Sequence, residues 1–230
     1  MSDEKLRELE RRFRETGSAE DEVAWLRERA RSGEKLDWES YSRLHELDVD
    51  AAADYLRWRV ATGDLTQERL ELAAYCGEVG RVSRQLRTDA FLQSLGRWGP
   101  APFAEVLRQV LLASIQKRPN IPEVVAILKP ALRALEEGGD LGVLPAAYAS
   151  GDSGRNLAVL QASALYSSIR CFSTRRKRLW RPVLSAMQAA GLCTGESVPP
   201  ERVLKQLWRW ALGYGRDGDG ITLGTGAIPP

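Results

Sequence analysis

The chain is short of the side chains that most often carry chemistry: its 230 residues include one histidine, His45, and three cysteines, Cys76, Cys171 and Cys193. A Ser-His-Asp or Cys-His site would have to use His45, and no Gly-x-Ser-x-Gly elbow accompanies it. It reads as an exposed helix histidine. Metal sites that need two or three His or Cys ligands are excluded by supply, and Asp217-Gly218-Asp219-Gly220 matches only the first third of a calcium loop. An odd cysteine count without Cys-x-x-Cys spacing argues against a disulfide framework and a zinc site, leaving buried, reduced thiols. Long apolar runs are also missing. No stretch approaches the ~20 residues of a spanning helix, and the start MSDEKLRELERR is too charged for a signal peptide, so the expectation is a cytoplasmic protein without a membrane partner.

What the chain has is charge, unevenly placed. Residues 1–80 hold 13 basic and 20 acidic side chains, net −7, whereas Arg155 to Arg216 holds 11 basic residues against only Glu196 and Glu201, net +9. An acidic end and a basic end can steer a polyanion or an acidic surface to the basic part, or draw two ends together. Apolar residues recur almost everywhere at helical spacing, as in Phe103, Val106, Leu107, Val110, Leu111 and in Val124, Leu128, Ala131, Leu132, Leu135. This predicts an all-α chain of about a dozen short helices. Ser18 with Asp21 resembles a capping box, Pro122 and Pro200 suit first helical turns, and Pro130 predicts a kinked or split helix.

A repeat emerges when the glycine stops are aligned. Leu26-Arg27 precedes Gly33 by the same spacing that separates Leu56-Arg57 from Gly63 and Leu132-Arg133 from Gly139, each with an acidic residue next and a leucine within three residues. The reading is a helix–turn–helix unit in which glycine takes the left-handed position that ends a helix and the leucine folds back on it. Such units bury their apolar stripes only by stacking, which predicts an α-solenoid-like stack. Expected domains are a helical repeat region over 1–150, basic C-terminal helices over 151–213 and a Gly-rich tail over 214–230. Residues 9–77, with LERRFRETG, DEVAWLRERARSG and YLRWRVATGDLTQERLELAAYCG, resemble the short "repeat-companion" helical modules of uncharacterised bacterial proteins. The resemblance implies helical repeats and a bacterial protein, and no catalytic residue.

Two features are candidates for binding. Arg175-Arg176-Lys177-Arg178, flanked by Arg170 and Arg181, falls just before a helix that Pro182 opens, where the macrodipole disfavours positive charge. The cluster is frustrated unless something anionic meets it. In the helix after Pro200, Arg202, Lys205 and Arg209 share one side, and the apolar stripe opposite is wide enough to offer Trp208 or Trp210 as an interface anchor. Paired carboxylates lie in solvated helix ends, and Gly213-x-Gly215-x-x-Gly218 follows a helix rather than a strand, so neither points to catalysis or a dinucleotide. The expectation is a non-enzymatic adaptor without cofactor or metal whose partner is a protein, with nucleic acid bound through the basic third as the alternative.

Overall fold

A computed structural model describes residues 3–82, 86–137, 157–174, 178–193 and 199–214, and shows an all-helical chain. Among the described residues eleven α-helices occur: α1 Asp3–Thr16, α2 Ala19–Arg31, α3 Trp38–Leu47, α4 Val49–Ala61, α5 Gln67–Val82, α6 Thr88–Leu95, α7 Ala101–Lys117, α8 Pro122–Glu137, α9 Leu157–Thr174, α10 Trp180–Ala189 and α11 Glu201–Ala211. They form two compact units: residues 1–71 with Ala211–Tyr214, and residues 72–210 with 215–230. The sequence-drawn boundary at 150/151 lies outside the described residues. Tyr214, placed by sequence in the tail, is buried in the first unit.

The first unit is a repeat in structure as well as in sequence. Ser18 caps α2 and Asp48, thirty positions on, caps α4; both helices have 13 residues and both end before a glycine with positive φ, +83° at Gly33 and +78° at Gly63. An L side chain pays for that conformation and glycine does not, which is why helix stops fall there. After α2, Gly33 N–H reaches the Ala30 carbonyl and Glu34 N–H the Arg29 carbonyl. After α4, Gly63 N–H reaches Val60 and Leu65 N–H reaches Arg59. Leu36 and Leu65 then fold inward and are buried, as the sequence pattern requires. Helix α1 packs on α2, α2 on α3 and α4, and α3 on α4. The third sequence copy, at Gly139, lies outside the described residues.

The second unit is built around aliphatic stripes. Phe103, Val106, Leu107, Val110 and Leu111 of α7 are all buried, as are Val124, Ile127, Leu128 and Ala131 of α8 and Val183, Ala186 and Met187 of α10. Neighbours in sequence pack on one another from α6 to α10, and α10 returns to pack on α6 and α7. Such packing is consistent with the expected helical stack. Helix α8 runs unbroken through Pro130 rather than splitting there. Ala126 and Pro130 are both exposed, so the carbonyl that loses its partner is available to water, while the opposite face is held by burial. No described helix is long and apolar enough to cross a membrane.

Two expectations about single residues are corrected. Of the three free thiols only Cys76 is buried, which pushes its pKa up to about 12; Cys171 is exposed and Cys193 half-buried. His45 is half-buried rather than exposed, since Tyr41, one turn earlier, brings its ring to 6.1 Å.

Candidate functional site

A polar construction recurs in register in the two repeats. In residues 25–34 and 55–64 an aromatic ring, an arginine four positions later, a hydroxyl, a glycine and an acid recur in register. Arg29 lies over Trp25 at 4.8 Å and donates to Glu34 at 2.6 Å; Arg59 lies near Tyr55 at 5.9 Å and donates to Asp64, also at 2.6 Å. Ser32 and Thr62 donate to the carbonyls of Arg29 and Arg59. Each arginine therefore ties the last turn of its helix to the loop that follows, and the ring beneath it supplies cation–π attraction. The alignment on Leu-Arg and glycine passed over this ladder, although the ring and acid were legible at constant offsets.

The two copies differ in depth. Arg59 is completely buried, donates at 2.7 Å to the Leu212 carbonyl and lies 5.0 Å under the Tyr214 ring, which stacks on Tyr41 and meets Trp38 edge-on. Arg69 donates to the Ala211 carbonyl beside it. Burial would raise the Asp64 carboxyl, but hydrogen bonds from Lys35 and Arg59 outweigh it and the pKa is lowered. Burial drives the Tyr41 and Tyr214 phenols well above their ordinary values, so both stay neutral. An arginine buried this deeply, with rings and a backbone carbonyl around it, is a structural keystone; nothing in its surroundings is open to a substrate.

Between the equivalent helices α2 and α4 runs an open groove of about 380 Å³. Its α2 side carries Arg27 and Arg31, and its α4 side Asp50, Asp54, the buried Tyr55 and the half-buried Trp58. The gap exists because Ala30 and Ala51 are small where the two helices face. Arg27 pairs with Asp48 and Asp54 with Arg57, whereas Arg31 and Asp50 make no ion pair with any described residue. Tyr55 is locked by the hydrogen bond its hydroxyl accepts from Leu36 N–H and by stacking on Trp58, so the floor is rigid. Of these residues only Arg27 figured in the sequence pattern, as part of the repeat, and none as a binding candidate. They share a face only because the two repeats lie side by side.

The structure separates the sequence candidates in the basic third. Arg175, Arg176 and Lys177 lie outside the described residues. Arg170, Arg178 and Arg181 are exposed, at the end of α9 and the start of α10, and Arg181 stacks on Trp180 at 5.4 Å. Arg202 instead hydrogen-bonds Gln116 near the end of α7, where Arg118 meets Gln161 of α9. Gln161 precedes Arg170 by nine residues of helix, about 13 Å, so Arg202 lies at the end of the α9–α10 pair away from Arg170. Lys205 is exposed, Arg209 half-buried, and Trp208 and Trp210 are both half-buried while Val203, Leu204, Leu207 and Ala211 are buried. No group of three His, Cys, Asp or Glu side chains among the described residues could hold a metal.

Fold and site together define a class, an all-helical chain whose first unit carries a 30-residue helix–turn–helix repeat. Compared with known proteins, the chain matches no family model, no curated protein and no solved structure.

Proposed function

We propose that this chain is a non-enzymatic interaction module, an adaptor of a bacterial system, that presents the α2–α4 groove to another protein. The observation that carries this reading is the groove itself: equivalent helices of two repeats frame it, the repeat hydrogen bonds hold it, and two of its four charges, Arg31 and Asp50, make no ion pair with any described residue. Helical repeats build binding surfaces in this way, because stacking fixes the helices while the side chains lining their shared face stay free to vary. A locked aromatic floor lowers the ordering cost of binding. The polar groups that would perform proton transfer or nucleophilic attack are instead tied into caps and last-turn ladders, which supports binding over catalysis.

The test is site-specific photo-crosslinking in host cells, with the crosslinking side chain placed at Asp54 in the groove or at the exposed Ser167 of α9. A discrete protein adduct from position 54 and none from 167 is the expected result. Adducts at neither position, or adducts to nucleic acid alone, would overturn the reading.

A further inference from the structure

The helix dipoles already favour Arg31 in the last turn of α2 and Asp50 in the first turn of α4. They do not require that both line one groove together with Trp58, nor that neither finds a counter-ion. One wall is basic, through Arg27 and Arg31; the other is acidic, through Asp50 and Asp54; the floor is aromatic and half-exposed at Trp58. Resting on the interaction reading above, we infer that the groove takes an amphipathic helix with one acidic edge and one basic edge. Its apolar row lies on Trp58, which stacks on the buried Tyr55, its acidic edge along Arg27 and Arg31, and its basic edge along Asp50 and Asp54.

The chemistry selects this occupant over others. A polyanion would meet Asp50 and Asp54 at close range, and like charges brought together oppose binding. A uniformly basic helix fails on the other wall for the same reason. An apolar segment without charged edges would leave Arg31 and Asp50 partly desolvated and unpaired, at a cost. A mixed-edge helix satisfies both walls at once, and the two small residues, Ala30 and Ala51, let its apolar row approach the Trp58 ring. Anchors spaced by three and four residues along one helix face are the ordinary way such a groove is filled.

The experiment uses the full chain and three blocked synthetic helices with the same apolar row: one with a Glu edge and a Lys edge, one with Glu on both edges, one with Lys on both. Binding is read from Trp58 fluorescence, assigned by the loss of the signal in Trp58→Phe. The mixed helix is expected to bind at least ten-fold more tightly than either uniform one. In Asp50→Asn/Asp54→Lys, where both walls carry no negative charge, the order should change in favour of the all-Glu helix. Equal binding of all three, an unchanged order in the double variant, or no response at Trp58 would each overturn the assignment. A groove that still crosslinks a protein in cells after such a result would leave the adaptor reading standing and only the charge code refuted.

Discussion

The two units reach stability by different routes. In the first, aromatic rings, a buried arginine and ion pairs at helix ends hold the fold: Trp38, Tyr41, Tyr55 and Tyr214 surround Arg59, and Ser18, Asp37 and Asp48 cap three successive helices. In the second, α7 is buried along most of its length, chiefly by aliphatic side chains, with Arg108 paired to Glu105 and Glu136 as the buried ionic exception. Aliphatic packing is non-directional, whereas hydrogen bonds and ring contacts fix angles. The unit whose helix positions are set by directional contacts is the one that frames the groove. Groove geometry can thus be kept constant while the residues lining it change.

The largest test of this contrast sets Arg59→Ala against Leu107→Ala. Removing Arg59 strands the Leu212 carbonyl, which costs about 1–3 kcal/mol, and takes one of two cations from the partly exposed Asp64. Removing Leu107, which is fully buried, leaves a cavity that costs about 2–5 kcal/mol. Hydrogen exchange separates them. Arg59→Ala should expose the amides of 212–214, and Leu107→Ala should leave those amides protected while opening α7. Loss of protection at 212–214 in both variants to the same degree would mean the units do not rely on different contacts.

Next in size are the glycines. A Cβ at Gly63 would meet nothing within 4 Å, so Gly63→Val should lose stability through backbone conformation alone, about 1–2 kcal/mol, as should Gly33→Val. Gly77, within α5 and without positive φ, is the contrast: Gly77→Ala should gain about 0.5–1 kcal/mol. Denaturant midpoints check both. Gly63→Val without loss would end the account of the repeat as a helix stop.

Much of this frame is legible in the chain. Positive φ at Gly33 and Gly63, the Ser18 cap and the α7 stripe all follow from local rules, because each depends on residues within one or two turns. Arg59 was not legible. An arginine in a helix reads as a surface residue, and its partner Leu212 lies 153 positions away. The groove escaped for a related reason: Arg31 and Asp54 acquire a shared meaning only once two helices are laid together. Trp208 and Trp210 were ambiguous in sequence, and in the structure both are half-buried.

Acid should sharpen the contrast. Asp21, Asp37, Asp48 and Asp64, all in the first unit, have pKa values lowered from 3.8; the leading lowering contacts are Thr16 for Asp21 and the backbone N–H groups of Ser40 for Asp37 and Ala51 for Asp48. For Asp64, burial acts in the opposite direction and is overcome by Lys35 and Arg59. A carboxyl depressed in the folded state contributes stability that is present above its unfolded pKa and disappears as pH falls through the folded one. The first unit, with four such carboxyls, should therefore begin to lose hydrogen-exchange protection as pH drops below about 4, ahead of the second, where Asp89 is lowered. Simultaneous loss in both units would show that capping carboxylates do not set the acid limit.

The smallest expected effect concerns the basic turn. Four consecutive cations, Arg175 to Arg178, precede α10, which begins at Trp180, and positive charge near a helix start is unfavourable by about 0.3–1 kcal/mol per charge within the first turn at low salt. Replacing all four by Ala should thus leave thermal stability unchanged or slightly raised, with the gain fading as salt screens it. The same variant decides whether the charge asymmetry has a use. If this turn grips phosphates together with Arg202, about five contacts would give a slope of log affinity against log salt near −4 to −5 on duplex DNA, and the substitution would remove most of it. Arg202 is held by Gln116 at the end of the α9–α10 pair away from Arg178 and makes a hydrogen bond inside the fold. The adaptor reading therefore expects no measurable binding to DNA or RNA at ~50 mM salt, the condition most favourable to such contacts. Tight, steeply salt-dependent binding that the four substitutions abolish would transfer the functional surface from the first unit to the second.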